Sequence, residues 1–285
     1  MLMDYLRIII LGVVQGITEF LPISSDGHLA VANALFGAIT NTKLPEENLG
    51  VTIILHLGTL LAILIVYRQQ ILRLLTVDRR IIPLLIVGTI PAGISGIVLK
   101  KFFEQEMSSP LIAGCLLPLN GLMLLWISRK PQGETTYEEV SYRQAIWIGL
   151  CQAFAPLPGI SRSGTTIAGG LAVGLKREAA ATFSFMLAIP AIAGAGLLEL
   201  KELIKDRPDD LPTTSVLLVG AVVSFLVGWV SLLLLLRLLR EGRLAPLAWW
   251  CIGLGVAVVI WQLSGWGIHP TAFLAQVAPN ADYRW

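Results

Sequence analysis

Six stretches of the chain are apolar almost throughout: residues 51–67, 81–99, 111–127, 179–198, 215–236 and 247–263. Each reaches or approaches the roughly 18–20 residues needed to cross a bilayer's hydrocarbon, so each predicts a transmembrane helix. Two further regions are apolar but interrupted. Residues 5–21 carry Gln15, Thr18 and Glu19 and break at Pro22, and residues 26–36, "DGHLAVANALF", are apolar after His28 but short. The same picture recurs downstream, where residues 141–159 break at Pro156 and Pro158 and residues 165–175, "TTIAGGLAVGL", are short and Gly-rich. Two half-length helices joined by a polar Pro/Gly loop predict a re-entrant hairpin. Such backbone is tolerated at membrane depth only where protein buries it or a wet cavity lines it.

The two hairpins match in spacing. Gln15 precedes Gly27 by twelve residues and Gln152 precedes Gly164 by twelve, an offset near 137. Each hairpin is followed by three long spans. One membrane domain over residues 1–285 is therefore expected, with repeat one at 1–128, repeat two at 141–265 and a polar linker between. Three crossings are an odd number, so the second repeat enters from the opposite face. The expected fold is an all-α polytopic membrane protein of two inverted-topology repeats, each a re-entrant helix hairpin plus three transmembrane helices, with both tips near the midplane.

Composition agrees. Of 285 residues 55% are hydrophobic and 14% charged, and mean hydropathy is +0.75, whereas soluble domains carry about 25% charged residues. A net charge of +2 without a basic, aromatic-interleaved cluster gives no reason to expect a nucleic-acid partner. Cys115, Cys151 and Cys251 lie in apolar surroundings and read as small packing residues. Asp4, Arg7, Gln15 and Glu19 within the first twenty residues, with no small-residue cleavage site, argue against a removed signal peptide. Twelve Lys/Arg in one set of loops, including Arg68, Arg79, Arg129 and Arg177, oppose eight in the other. The positive-inside bias puts the first set in the cytoplasm and opens the first hairpin outward.

Against this background the polar residues of the two tips stand out. An ionisable residue at the bilayer centre costs roughly 2.5–3.5 kcal/mol; Glu19, Asp26, His28 and Arg162 together would cost about 10 kcal/mol or more if unpaired and dry. Arg162, flanked by Ser161, Ser163, Gly164, Thr165 and Thr166, has the makings of an anion cradle. A guanidinium fork binds phosphate in bidentate fashion, and a helix starting near Thr165 would aim free N–H groups at the same anion. Ser24, Asp26, Gly27, Gln15 and Gln152 complete the candidate binding set.

Blander readings compete. Asp26 can be the N-cap of the second half-helix, Gly27 and Gly164 can serve close backbone approach, and Gln15 and Gln152 can tie helices together. His56, with no acid near it in sequence, reads as a helix–helix contact, and His269 as an interfacial residue of the tail. Glu19, His28 and Arg162 can be a structural ion-pair cluster.

Read as chemistry, Ser25 and His28 at i, i+3 are expected within hydrogen-bond reach of each other. Phosphoryl transfer needs positioning, charge neutralisation and a nucleophile with a proton acceptor. Arg162 would hold phosphate charge, His28 or Glu19 would handle protons, and Ser25 or a water would attack. A divalent cation, Mg or Ca, held by Glu19 or Asp26 would add neutralisation.

Two motifs, "QGITEFLPISSDGHL" at 15–29 and "PGISRSGTTI" at 158–167, with "GTIPAG" at 88–93 and "FSFMLAIPA" at 183–191, resemble the bacterial undecaprenyl-diphosphate phosphatase family of the bacitracin-resistance type. The resemblance covers essentially the whole chain. It implies dephosphorylation of a C55 isoprenoid diphosphate to the monophosphate in the bacterial inner membrane, regenerating the lipid carrier for cell-wall precursors. Glu19 matches the second acid of the family's glutamate-rich motif, Ser25 and His28 its serine and histidine, and Arg162 the arginine of its Pro-Gly-x-Ser-Arg-Ser-Gly signature. Gln15 stands where members can carry the first glutamate, which weakens a two-glutamate metal site, and Asp26 replaces a residue that is commonly a small hydroxyl one. The resemblance leaves the nucleophile open between Ser25 and His28, with Ser25 ranked ahead, and leaves a homodimer open.

Two rivals remain to be weighed. The other membrane lipid-phosphatase superfamily needs a second histidine six residues beyond its arginine, where this chain has Ala168. A lipid-phosphate transporter or flippase would use the same midplane anion site, but it has no use for a nucleophile beside a base.

Overall fold

The breaks read from the sequence become helix ends. The computed structural model describes residues 2–40, 49–107, 109–131, 133–205 and 211–264, so His269 lies outside the described residues. In chain order the helices are α1 (Leu2–Phe20), α2 (Ser25–Thr40), α3 (Leu49–Val66), α4 (Arg68–Leu74), α5 (Ile81–Met107), α6 (Pro110–Arg129), α7 (Tyr142–Gln152), α8 (Arg162–Ala172), α9 (Arg177–Lys205), α10 (Thr214–Glu241) and α11 (Ala245–Leu263). The first hairpin is α1–α2, the second α7–α8, and the six apolar stretches became α3, α5, α6, α9, α10 and α11. Five of these, α5, α6, α9, α10 and α11, are long and apolar enough to cross a membrane unaided. A sixth span appears if α3 is taken with α4, from which it is bent by 76°. The chain is thus a multi-pass, all-helical membrane protein over its described residues.

Helix α4 was not expected. It follows a break at Tyr67 and buries none of its residues, which fits its opening Arg68-Gln69-Gln70. Pro91, Pro118 and Pro190 sit inside α5, α6 and α9, as membrane helices allow when neighbours re-satisfy the freed backbone groups.

Packing relies on small residues, because lipid supplies no hydrophobic drive between helices. α1 lies on α10, α7 on α5, and α6 on α11. A Cβ at Gly16 of α1 would come within 2.8 Å of the Gly228 nitrogen of α10, and one at Gly121 of α6 within 2.6 Å of the Ala248 carbonyl of α11. Outward faces stay apolar: Ile86, Ile90, Ile94 and Ile97 of α5 are exposed and line up at helical spacing. The second half-helix, α8, has no such face, since every residue from Ser163 to Leu171 is buried.

Two loops, 21–24 and 153–161, meet and are locked to each other. Ser24 takes a left-handed backbone, φ 74°, uncommon outside glycine. Its Oγ accepts the Gly27 N–H at 3.2 Å, capping α2, and the Gly159 N–H of the other loop at 3.1 Å. Ser161 caps α8 in the same manner, accepting the Gly164 N–H at 3.1 Å. Ser163 Oγ donates to the Phe20 carbonyl at 3.1 Å. Buried Asn120, from the middle of α6, donates to the Pro22 carbonyl at 2.7 Å and accepts the Ser161 N–H at 3.0 Å. The loops approach so closely that a Cβ on Gly27 would sit 2.8 Å from the Gly159 nitrogen. The caps correct one alternative above: Ser24, not Asp26, caps α2.

Asn120→Leu would strand the Pro22 carbonyl and the Ser161 N–H, at about 1–3 kcal/mol for each unsatisfied buried group. The expected outcome is a Tm in detergent several degrees below wild type by thermal-shift measurement, whereas Leu119→Ala, on the exposed face of the same helix, should move it little.

Candidate active site

Three helix ends converge on one carboxylate. Glu19 closes α1, Ser25 opens α2 and Arg162 opens α8. Glu19 Oε1 accepts from Arg162 Nη2 at 2.5 Å, across 143 positions of sequence. Glu19 Oε2 accepts from Ser25 Oγ at 3.1 Å and from Gln15 Nε2, one turn earlier, at 3.2 Å. His56 of α3 brings Nε2 to 3.9 Å from the same oxygen. Side-chain exposure is 7% for Glu19 and 16% for Arg162, so the pair is largely withdrawn from solvent.

The electrostatic balance at this point favours an anion. A helix leaves its first N–H groups without intrahelical partners, and its N-terminus carries partial positive charge. Both half-helix N-termini and one guanidinium therefore meet a single carboxylate. Arg162 also keeps a second nitrogen, Nη1, buried and without a hydrogen-bond partner among the described residues. A fork with one prong on Glu19 and one unengaged can take a phosphate oxygen. Half-buried Ser25 carries a hydroxyl oriented by the carboxylate, as a nucleophile beside a proton acceptor requires.

Several expectations change. Ser25 and His28 do not bond each other: Ser25 turns to Glu19, while His28 Nδ1 lies 2.8 Å from the Ser24 carbonyl and its Nε2 accepts the Trp250 indole N–H at 2.9 Å. Since α2 is helical from Ser25, residues three apart share a face but point outward at different heights. His56 is not a plain helix–helix contact. Its Nδ1 lies 2.9 Å from the Thr52 carbonyl one turn back, which leaves Nε2 directed at Glu19. Its only advance signal was the cost of a histidine inside "IILHLGT". Asn120 had the same kind of signal and was missed too.

Gln15 does not tie helices together, because it bonds Glu19 on its own helix. Gln152 is buried with both amide atoms unpartnered among the described residues. The hydroxyls expected to cradle an anion serve the scaffold: Ser161 caps, Ser163 crosses to Phe20, and Thr165 Oγ1 donates to the Ser161 and Arg162 carbonyls at 3.0 Å each. Gly164, like Gly27, carries the N–H its cap accepts. α8 begins at Arg162 rather than near Thr165, so the free N–H groups lie at Arg162 and Ser163. Asp26 is exposed in the first turn of α2.

No group of three His, Cys, Asp or Glu suited to a metal occurs among the described residues. The oxygen donors at the site are Glu19, engaged by Arg162 and Ser25, and exposed Asp26. Two carboxylates cannot make an all-protein cage, so a divalent cation held by them would need substrate phosphates among its ligands.

Residues 8–257 match the family described as bacitracin resistance protein BacA. The chain is 46% identical over 260 residues to an undecaprenyl-diphosphatase of Rhodopirellula baltica, covering 91% of this chain and 99% of that protein. It is 38% identical over 282 residues to an undecaprenyl-diphosphatase of Methanosphaera stadtmanae, covering 91% and 98%. It is 36% identical over 263 residues to undecaprenyl-diphosphatase 3 of Bacillus cereus, covering 92% and 99%.

Removing one member of a buried ion pair leaves the other charge uncompensated, at roughly 3–5 kcal/mol. Glu19→Ala and Arg162→Ala should each destabilise the protein by about that amount. The double variant should cost clearly less than their sum, read as a coupling energy in a double-mutant cycle of denaturant unfolding in detergent.

Proposed function

The chain belongs to the BacA bacitracin-resistance family, and on that premise we propose that it is a membrane phosphatase. It hydrolyses undecaprenyl diphosphate to undecaprenyl monophosphate and inorganic phosphate, and so recycles the lipid carrier of cell-wall synthesis. The observation that carries this reading is Ser25 Oγ–H directed at Glu19 while Glu19 also holds Arg162, with Arg162 Nη1 unengaged.

The terminal phosphate lies against Arg162 and the first turns of α2 and α8. Ser25 Oγ attacks the terminal phosphorus, its proton passes to Glu19 Oε2, and the bond from phosphorus to the bridging oxygen breaks. Undecaprenyl monophosphate leaves with that oxygen. Glu19 then returns that proton to Ser25 Oγ as water attacks the phosphorus and the P–Oγ bond breaks. The water's proton passes to His28 or to the freed Glu19 carboxylate, and inorganic phosphate departs with Ser25 regenerated. A divalent cation, Mg or Ca, would be held by Glu19 and Asp26 together with the substrate's own oxygens, and would neutralise charge on the diphosphate.

The same reading includes the inverted repeats. Three features support it. Ser24 and Ser161, 137 positions apart, cap their half-helices through Gly27 and Gly164, also 137 apart. α1 packs on α10 while its counterpart α7 packs on α5, the counterpart of α10. α6 pairs with its own counterpart α11. The Lys/Arg bias opens the site to the outer face of the bacterial inner membrane.

Purified protein in detergent should release phosphate from undecaprenyl diphosphate, and Ser25→Ala should not. Turnover retained in Ser25→Ala would transfer the nucleophile to His28 or water. No release from folded wild type would favour a lipid-phosphate carrier. Arg162→Lys keeps the charge but loses the fork, and should lower kcat by about 10²–10³. EDTA should slow wild type, and added Mg²⁺ should restore it; indifference to EDTA would remove the cation from the mechanism.

A further inference from the structure

A cavity of about 290 Å³ lies where the end of α3 and α4 meet the start of α9 and the end of α10. It is remote from the reaction centre. Tyr67 in its wall stands eleven residues beyond His56, the α3 residue that faces Glu19, which is about 16 Å of helix. Two polar atoms of the wall have no partner. Tyr67 is 3% exposed and its Oη makes no hydrogen bond among the described residues, and Gln70 Oε1 is buried and unpartnered as well. Buried polar groups are nearly always hydrogen-bonded, so two such atoms on one wall need an explanation. Packing gives none for the hydroxyl. The Tyr67 ring stacks on Phe185 with centroids 5.9 Å apart, a contact that phenylalanine would make equally well.

The other polar groups of the cavity define what would satisfy them. Thr182 lies beside the Tyr67 hydroxyl, and Arg240 and Glu178 are near enough for their charges to act on it. Arg240 Nε is 2.7 Å from Glu178 Oε1 and both side chains are exposed, so this pair stands at the mouth and the wall carries no net charge. Gln70 Oε1 and Glu178 only accept, Arg240 only donates, and the hydroxyls of Tyr67 and Thr182 do either. A zwitterion with several N–H donors and one anionic group matches that set. Its ammonium would meet Gln70 Oε1 and Glu178, and its phosphate would meet Arg240 and Tyr67 Oη. An anionic head would bring a second negative charge beside Glu178, to a guanidinium already paired. A quaternary ammonium has no N–H for Gln70.

The surroundings place the cavity at headgroup level. α4 is bent by 76° from α3. Leu72 of α4 is exposed, as are Leu75 and Val77 just after it, among Arg68, Arg73 and Arg79. Apolar side chains interleaved with basic ones on a segment that turns off a spanning helix suit the boundary between headgroups and acyl chains. Val66, Leu236 and Leu239 form the apolar part of the wall, where the glycerol end of a lipid would lie.

We propose that this cavity binds the headgroup of a zwitterionic phospholipid bearing a primary ammonium, the phosphatidylethanolamine class, at a site separate from that of the reaction.

The test titrates delipidated protein in detergent with phosphatidylethanolamine, phosphatidylcholine and phosphatidylglycerol of the same acyl chains. Bound lipid is counted by native mass spectrometry, and stability is read by thermal shift. One ethanolamine lipid should bind more tightly than either of the others by about fivefold, the factor equivalent to a net hydrogen bond of about 1 kcal/mol. Tyr67→Phe and Gln70→Met should each weaken its binding by about the same factor. Without lipid, Tyr67→Phe should be no less stable than wild type, because the hydroxyl it removes has no partner there. A loss of affinity in that variant then reports the site and not the fold. Equal affinity for the three lipids, tighter binding of the glycerol lipid, or unchanged ethanolamine binding in both variants overturns the proposal. Undecaprenyl monophosphate should not displace the ethanolamine lipid; displacement would give the cavity to the reaction's own lipid and overturn the separate site.

Discussion

A glutamate closing one half-helix and an arginine opening another are joined at 2.5 Å within an otherwise apolar bundle. Either charge alone, withdrawn from solvent, would be costly, and a buried pair stabilises little net unless its geometry is good and its remaining atoms are satisfied. Much of the surrounding architecture answers to that constraint. Glu19 receives Gln15 and Ser25 on its second oxygen, and the loops that carry the pair are stitched together through Ser24, Ser163 and Asn120. These bonds fix the separation of the two hairpins, so the carboxylate and the guanidinium meet without either loop being free to drift.

The scaffold and the chemistry divide the polar residues between them. The two capping serines perform the same task on their half-helices, and the two glycines that donate to them match as well. The position after each cap is where the halves differ. One holds Ser25, a hydroxyl that can attack, and the other holds Arg162, a cation that can neutralise. A site of two identical tips would have two nucleophiles and no counter-charge, or the reverse. The reactive arrangement comes from this difference between two similarly capped helix starts.

Helix packing sets the reach of the site into its surroundings. Glycines at Gly12 and Gly16 let α1 lie against α10, which positions Glu19 at the end of α1. His56 arrives on α3, whose Gly58 and Ser224 contacts bring it against α10 as well. α11 brings Trp250 to α1, where it lines an apolar groove together with Val14, Ile17 and Leu247. Lipid-facing and reactive surfaces are therefore only one helix apart, as chemistry on a headgroup whose tail stays in the membrane requires.

The sequence by itself determined the membrane class, the six long apolar helices and the polar breaks at 21–24 and 153–161, because each depends on local composition and on the length of an apolar run; α1 and α2, at 19 and 16 residues, are longer than the half-helices expected of a re-entrant hairpin. It also marked Glu19, Ser25 and Arg162, since polar groups in such surroundings are too costly to be incidental. Tertiary structure alone decided which partners those groups take. Sequence spacing favoured Ser25 with His28, yet helix direction turned Ser25 to Glu19 and left His28 to the Ser24 carbonyl and Trp250. The hydroxyls of 161–165 looked like a cradle for an anion, but unsatisfied backbone at two helix starts claimed them first. His56, Asn120 and Trp250 reach the site from distant helices. A contact across a hundred or more residues depends on how whole helices pack, and no window of sequence contains that information.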